Sequence, residues 1–142
     1  MPVIKDVVDQ PGLFHIAAQD TVAAAVRRMA ELHVGAILVL ADGELQGIFS
    51  ERDLLKRVVA AGRDPETTPI AEVMTTGVST IDETATLEQA MEAMQAHACR
   101  HLPVTRDGRV VAFLSMRDLM NFDLARKTEE LQHMRAYING AA

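Results

Sequence analysis

The strongest constraint on the fold is an internal repeat that covers most of the chain. Shifting the 142-residue sequence by 65 residues aligns 12–54 with 77–119 without a gap, and twelve of those 43 positions are identical. Ordinary residue usage would give roughly three identities by chance. The chain is therefore built on a duplicated unit, and a motif in one copy is expected in the other.

The first copy predicts the element order β-α-β-β-α. An extended piece at 13–16 precedes a helix whose apolar residues have helical spacing. Strands then follow at 36–40 and 45–50, joined by Asp42-Gly43, a pair that suits a tight hairpin because glycine accepts positive φ. The last helix is expected to begin at Glu51.

The second copy repeats that order, with extended pieces at 78–81, 102–105 and 110–115 and a final helix that begins at Met116. Thr86 and Gln89 predict a capping box on its first helix. A polar Gly/Pro segment at 62–69 separates the copies. Because neither small unit closes a core alone, we expect an α/β (α+β) fold in which repeats 1–65 and 66–125 pack as a pseudo-twofold pair.

A long helix is predicted at the end of the chain, where no glycine or proline occurs between Asp118 and Tyr137. We assign 126–142 to a C-terminal helical extension. The apolar stripe of the long helix, from Leu119 to Ile138, exceeds what one small unit can cover, and an exposed stripe usually finds a partner. The tail therefore predicts a homodimer, the commonest closed assembly. The residues of the stripe are Leu119, Phe122, Leu124, Leu131, Met134 and Ile138.

A Ser-x-x-Asp ending closes the last strand of each copy, as Ser50 with Asp53 and as Ser115 with Asp118. One interpretation is a capping box, in which serine bonds an orphan backbone N–H and the acid favours the positive helix end. The other is a ligand site, because a carboxylate at this position can accept ribose hydroxyls. The two roles are compatible, and the residues alone leave both open.

Cations that could receive a phosphate group lie near this ending. Arg100 and His101 precede a strand of the second copy, where the first copy has glycine and alanine. Arg52 and Arg117 adjoin the two aspartates. Because a carboxylate repels phosphate, a nucleotide site needs such cations on a neighbouring segment.

Together these features resemble a tandem pair of CBS domains (the cystathionine β-synthase type), known as a Bateman module. The resemblance covers about 4–122. The family signature G-x-x-[ST]-x-x-D is matched by Gly47, Ser50 and Asp53, whereas Ala112 replaces its glycine in the second copy. The stretch RHLPV at 100–104 is also similar to the family's strand entry, as in the γ subunit of AMP-activated protein kinase.

The resemblance implies regulatory binding of AMP, ADP, ATP or NAD between the repeats, with S-adenosylmethionine ranked behind them. It implies that Asp53 and Asp118 hold ribose hydroxyls and that Ser50 and Ser115 contact ribose or phosphate. Arg100 and His101 would meet phosphate. Adenine would lie near Ile37, Thr80, Leu102 and Pro103. The substitution at Ala112 adds a methyl group where a close backbone approach is expected.

Composition excludes several other classes. A net charge of −6 offers no footprint for nucleic acid, and no apolar run approaches the roughly 20 residues of a membrane helix. Cys99 is the only cysteine and the start of the chain has no signal-peptide pattern, so a cytoplasmic location is expected. The five histidines have no metal-ligand spacing, and Cys99 has no acid orienter, so it is interpreted as a structural thiol.

Two functions follow from the sequence. The first is a non-enzymatic sensor that binds an adenine nucleotide and biases an unknown partner protein. The second is an interaction scaffold in which the Ser-x-x-Asp pairs are only helix caps. A nucleotide hydrolase is a third class, but the chain shows no general base beside a nucleophile or a metal site.

Overall fold

The repeat folds into two three-stranded sheets of the same topology in a computed structural model, which describes residues 3–7 and 14–140. The first sheet has the order β1-β2-β3 and the second β4-β5-β6. In each sheet the first strand is parallel to the second, and the second is antiparallel to the third. The strands are β1 (His15–Ala17), β2 (Ala36–Ala41), β3 (Glu44–Ser50), β4 (Ile81–Asp82), β5 (His101–Arg106) and β6 (Arg109–Ser115).

The strand positions agree with the predicted order, with one correction. The extended segment predicted at 78–81 is mostly irregular. Strand β4 begins only at Ile81 and has two residues. Its counterpart β1 begins at His15, and residue 13 of the predicted piece lies outside the described residues. Each of these short first strands lies at one edge of its sheet, and the seven-residue strands β3 and β6 lie at the other edges.

The two hairpin turns confirm the sequence prediction. Asp42 and Gly43 have φ values of 53° and 79°, and Asp107 and Gly108 have 52° and 79°. Positive φ at both central residues is the requirement of a type I′ turn, whose twist matches that of the flanking strands. The pairing register of each hairpin also shifts directly after an equivalent valine, Val39 in the first repeat and Val104 in the second.

The helices begin and end close to the predicted positions. The first repeat has α1 (Ile4–Val7) ahead of it, then α2 (Val22–Leu32) and α3 (Glu51–Asp53), which continues as a π-helix over Leu54–Val59. A 3₁₀ turn at Ile70–Glu72 leads to α4 (Leu87–Ala96), and α5 spans Met116–Gly140. The predicted capping box at Thr86 and Gln89 is confirmed, with bonds of 3.2 and 2.9 Å.

Each repeat has its own core, and the short segment ahead of each repeat packs into the other one. Ile70 and Val73, which precede the second repeat, are buried with the first core. Ile4, which precedes the first repeat, is fully buried in the second core, and its N–H donates to the carbonyl of Ala85 at 2.9 Å. This exchange explains physically why one unit does not complete a core without the other.

Candidate functional site

A cleft between the two repeats lies where β3 ends and β5 begins. Its volume is about 510 Å³, within the range of small-molecule sites in proteins. Residues of both repeats line it, so a ligand here would contact both. The lining residues are Gly35, Ala36, Ile48, Ser50, Glu51, Arg52, Asp53, Thr75, Gly77, Val78, Ser79, His97, Ala98, Cys99, Arg100 and His101.

Ser50 and Asp53 form a complete capping box at the start of α3. The Asp53 N–H donates to Ser50 Oγ at 3.3 Å, and the Ser50 N–H donates to Asp53 Oδ2 at 3.0 Å. The Ser50 hydroxyl adds a bond to the same Oδ2 at 3.2 Å. The capping interpretation of this pair is therefore confirmed, and any ligand role must coexist with it.

The other oxygen of Asp53 faces residues 74–79, which lead from the 3₁₀ turn to β4 and are called the joining segment here. The Thr75 hydroxyl donates to Oδ1 at 3.0 Å, and Arg57 Nε lies 3.7 Å from the same oxygen. Arg57 also donates to the carbonyl of Met74 at 2.8 Å. Because a carboxylate offers about four lone-pair positions, Oδ1 can accept one further hydroxyl. Asp53, which is only 5% exposed, thus links the cleft to the joining segment.

Gly47 of the G-x-x-S-x-x-D signature lies against that same segment, which leaves no room for a side chain at this position. A Cβ atom at Gly47 would lie 2.5 Å from the carbonyl oxygen of Thr75 and 2.9 Å from the sulfur of Met74. Two backbone bonds between Ile48 and Thr75, of 2.9 and 2.8 Å, hold the segment there. Gly47 does not line the cleft, so its close approach is to the protein's own backbone.

The predicted cations Arg100 and His101 line the cleft from the second repeat. Arg100 is exposed, and His101 is half-buried with its ring 5.2 Å from that of Phe113. Burial lowers the pKa of His101 below its usual value, whereas the negative charges of Asp118 and Glu51 act in the opposite direction. His101 is therefore neutral at neutral pH, and a bound anion would favour its protonation.

Glu51 brings a negative charge into the cleft. Its carboxylate carbon lies 3.4 Å from the position that a Cβ on Gly35 would occupy. The Glu51 N–H donates to the carbonyl of Gly35 at 3.0 Å. In the second repeat, the Met116 N–H donates to the backbone carbonyl of Arg100 at 2.8 Å in the same way. The two repeats thus place the same helix start against the same strand, with different side chains.

The second Ser-x-x-Asp pair has the same capping geometry but does not line this cleft. Ser115 and Asp118 exchange bonds of 3.1 and 3.0 Å. Asp118 is exposed, and neither it nor Arg117 lines the cleft at Asp53, whereas Arg52 does. The 65-residue shift relates Thr75 to residue 10, and 8–13 lie outside the described residues.

The residues predicted to surround adenine are placed elsewhere. Ile37 and Leu102 are fully buried, one in each core, because β2 and β5 are covered on both faces. Pro103 is also buried, and Thr80 is exposed. None of the four lines the cleft. The apolar walls are instead provided by Ile48 and Val78.

Several lining residues were missed by the sequence reasoning. Thr75 and Gly77–Ser79 belong to the joining segment, which has no motif of its own. His97 and Cys99 lie between α4 and β5, and burial raises the pKa of the Cys99 thiol. Glu51 could have been found, because it lies inside the repeated Ser-x-x-Asp motif.

Two further classes of site can be addressed within 3–7 and 14–140. In that part of the chain, no three histidine, cysteine or acidic side chains come together in a way that could hold a metal ion. None of the helices described there is long and apolar enough to cross a membrane.

Comparison with known proteins identifies the repeated unit. The CBS domain family model matches twice, over residues 4–60 and 70–125. The mitochondrial CBS domain-containing protein CBSX3 of Arabidopsis thaliana is 35% identical over 127 residues, which are 85% of this chain and 61% of that protein. The chain thus spans about three fifths of that relative.

Solved structures agree with this assignment. A CBS-domain protein from Burkholderia ambifaria superposes with a TM-score of 0.82 at 29% identity, covering 88% of this chain and 95% of that one. A CBS domain protein from Pyrobaculum aerophilum, solved in complex with AMP, has a TM-score of 0.75 at 26% identity, covering 82% and 89%. CBS-domain proteins generally serve regulation and signal transduction. The chain belongs to the CBS domain family, and it is a tandem pair of CBS domains.

Proposed function

We propose that this protein is a non-enzymatic sensor of an adenine nucleotide, which binds in the cleft at Asp53. The observation that carries the proposal is the composition of that cleft. The first repeat contributes a carboxylate with spare acceptor capacity, and the second contributes Arg100 and His101. The AMP complex of the Pyrobaculum aerophilum relative supports an adenosyl ligand in this fold.

Each part of a nucleotide has a matching group in the cleft. Asp53 Oδ1 would accept one ribose hydroxyl, while Ser50 contacts the sugar or the phosphate. Arg100 would bind phosphate by charge-assisted hydrogen bonds, and protonated His101 would add a second cation. Ile48 and Val78 would pack against adenine. Because Ser115, Arg117 and Asp118 do not line this cleft, we propose one nucleotide per chain at this position.

The charge balance of the cleft favours a nucleotide with few phosphates. Glu51 lies in the same cleft as Arg100 and His101, and its negative charge acts on His101. Each added phosphate brings more negative charge near this carboxylate, where the repulsion is less screened than in bulk water. We therefore propose that AMP binds more tightly than ADP, ATP or NAD.

The regulatory output would pass through the segment that joins the repeats. Thr75 and a ribose hydroxyl share the same Asp53 oxygen, so ligand binding biases the position of residues 74–77. A ligand shifts a conformational equilibrium only through such differential contacts. We propose that the chain works as a homodimer in the cytoplasm and that nucleotide binding changes its interaction with an effector protein.

Thermal stability in the presence of ligands tests the proposal. A ligand at 100 times its dissociation constant adds about 2.7 kcal/mol of stability. For a chain of this length, that gain corresponds to a rise in melting temperature of roughly 10 °C. AMP should give this rise, adenosine less, and GMP none. No rise with any adenosyl compound, up to millimolar concentration, would favour the interaction scaffold instead.

A further inference from the structure

The end of α5 projects from the body of the protein. Every residue from 127 to 140 is exposed, whereas Leu119 at the start of the helix is buried in the second core. At 1.5 Å per residue, these 14 residues extend roughly 21 Å. An isolated helix of this length is marginal in water. The projecting arm therefore gains stability if another chain covers it.

The apolar residues of the arm follow a heptad pattern. Counted along α5 from Met120, and with Lys127 filling one position, they fall at alternating intervals of four and three residues, which is the spacing of a coiled-coil seam. The apolar members of the seam are between 49% and 66% exposed in the single chain. The seam consists of Met120, Leu124, Lys127, Leu131, Met134 and Ile138. None of its residues belongs to either core, and its apolar side chains are about half exposed or more, so they are available to a partner helix.

We propose that this seam pairs with the same seam of a second copy, in parallel and in register. Leu124, Leu131 and Ile138 then occupy the a positions of the heptad. In a parallel pair, each g residue faces the e residue five positions later on the partner. This rule brings Glu130 of one copy beside Arg135 of the other, twice by symmetry. The charges of the arm are therefore complementary to a second parallel copy.

The antiparallel alternative lacks this complementarity. In that arrangement, g residues of the two helices face each other, and the g positions here include Asp123 and Glu130. Carboxylates would then lie beside carboxylates, and like charges repel. In the single chain, Glu130 has only an exposed pair with Arg126 at 3.6 Å, which solvent screens.

Lys127 is the one charged residue in the seam. It occupies a d position and lies 3.1 Å from Asp123, one turn earlier on the same helix. A single polar residue in such a seam lowers its stability and restricts its register. Replacing Lys127 with leucine should therefore tighten the pair about tenfold.

The proposal deepens the proposed homodimer and does not depend on nucleotide binding. Its test is the orientation of the two helices, read by disulfide cross-linking. Cys99→Ser removes the only native cysteine, and Met134→Cys then places one thiol in the seam. In a parallel pair, residue 134 faces its own copy, within the Cα distance of about 7 Å that a disulfide spans. Gln132→Cys, on the outer face of the same turn, is the matched control.

We expect Met134→Cys to form a cross-linked dimer under mild oxidation, and Gln132→Cys to remain at least tenfold less cross-linked. In an antiparallel pair, residue 134 would face 124. Cross-linking only in a mixture of Met134→Cys and Leu124→Cys chains would therefore overturn the parallel arrangement. Thermal melting of each variant verifies that the fold is retained.

The strength of the pair is measured by analytical ultracentrifugation. Leu131→Asp should weaken dimerisation at least tenfold, and Glu130→Lys should weaken it several-fold. Combining Glu130→Lys with Arg135→Glu should restore it. A full-length monomer at about 100 µM would overturn the proposal. So would a Leu131→Asp dimer as tight as the wild type, which would move the interface to other exposed apolar residues such as Leu55 and Val59.

Discussion

The duplication supplies an internal control for the role of Asp53. Asp53→Ala and Asp118→Ala remove the same side chain from the same position of the repeat. Both aspartates complete a capping box with the serine three residues earlier. Only Asp53 also receives a bond from Thr75 and lies near Arg57. We predict that Asp53→Ala destabilises the fold clearly more than Asp118→Ala.

The expected difference follows from the contacts. Loss of the bond that the serine N–H donates to the aspartate costs about 1 kcal/mol, and this part is common to both variants. Asp53→Ala also breaks the 3.0 Å bond from Thr75, and one such bond contributes about 1 kcal/mol. The pair with the half-exposed Arg57 adds less than about 1 kcal/mol, because solvent screens it. The totals are roughly 2–3 kcal/mol for Asp53→Ala and about 1 kcal/mol for Asp118→Ala.

Urea denaturation of both variants measures these free energies. The slope of the unfolding free energy against urea should stay constant, so that a lower midpoint reports lost stability. Adding Thr75→Val to Asp53→Ala should lower the free energy of unfolding little further, because the two residues share one hydrogen bond. Equal costs for the two aspartates would refute the reasoning, since the link between Asp53 and the joining segment would then contribute nothing.

Three other predictions concern single side chains. Gly47→Ala should lower the free energy of unfolding by about 1–3 kcal/mol, because the new methyl group meets the Thr75 carbonyl. Gly35→Ala, the control, should lower it by less than about 1 kcal/mol, and urea denaturation measures both. Arg100→Ala should lower the calorimetric affinity for AMP at least tenfold and the affinity for adenosine hardly at all. Equal losses of affinity for the two ligands would exclude a phosphate contact. The lowered pKa of His101 means that the folded state binds a proton less readily than the unfolded state. The stability of the fold should therefore fall as the pH drops below the ordinary histidine pKa of 6.5. His101→Gln should flatten this dependence in thermal melting at several pH values.

Features with local signals were predictable from the sequence. The Asp-Gly turns and the capping box at Thr86 depend on a few adjacent residues, and the structure confirms them. The long helix after Asp118 was also predictable, because nothing in that segment interrupts it. Duplication strengthened the prediction of the turns, since Asp-Gly occurs at the same position in both copies.

Long-range contacts had no such signal. The packing of Ile4 and Ile70 into the opposite repeats depends on chain geometry far from either residue. Ile37 and Leu102, which the resemblance placed near adenine, are buried in the two cores, because a continuous apolar strand does not show which side chains face a cleft. The sequence predicted a close backbone approach at the glycine position of the signature but not its partner, which at Gly47 is the backbone at Thr75.

The central claim is that the cleft at Asp53 and Arg100 binds an adenine nucleotide, and calorimetric titration with AMP tests it most directly. The account predicts about one AMP bound per wild-type chain. Affinity should fall at least tenfold in Asp53→Ala but stay within about twofold in Asp118→Ala, each measured well below its melting temperature. The absence of binding at millimolar AMP, or an unchanged affinity in Asp53→Ala, would contradict it.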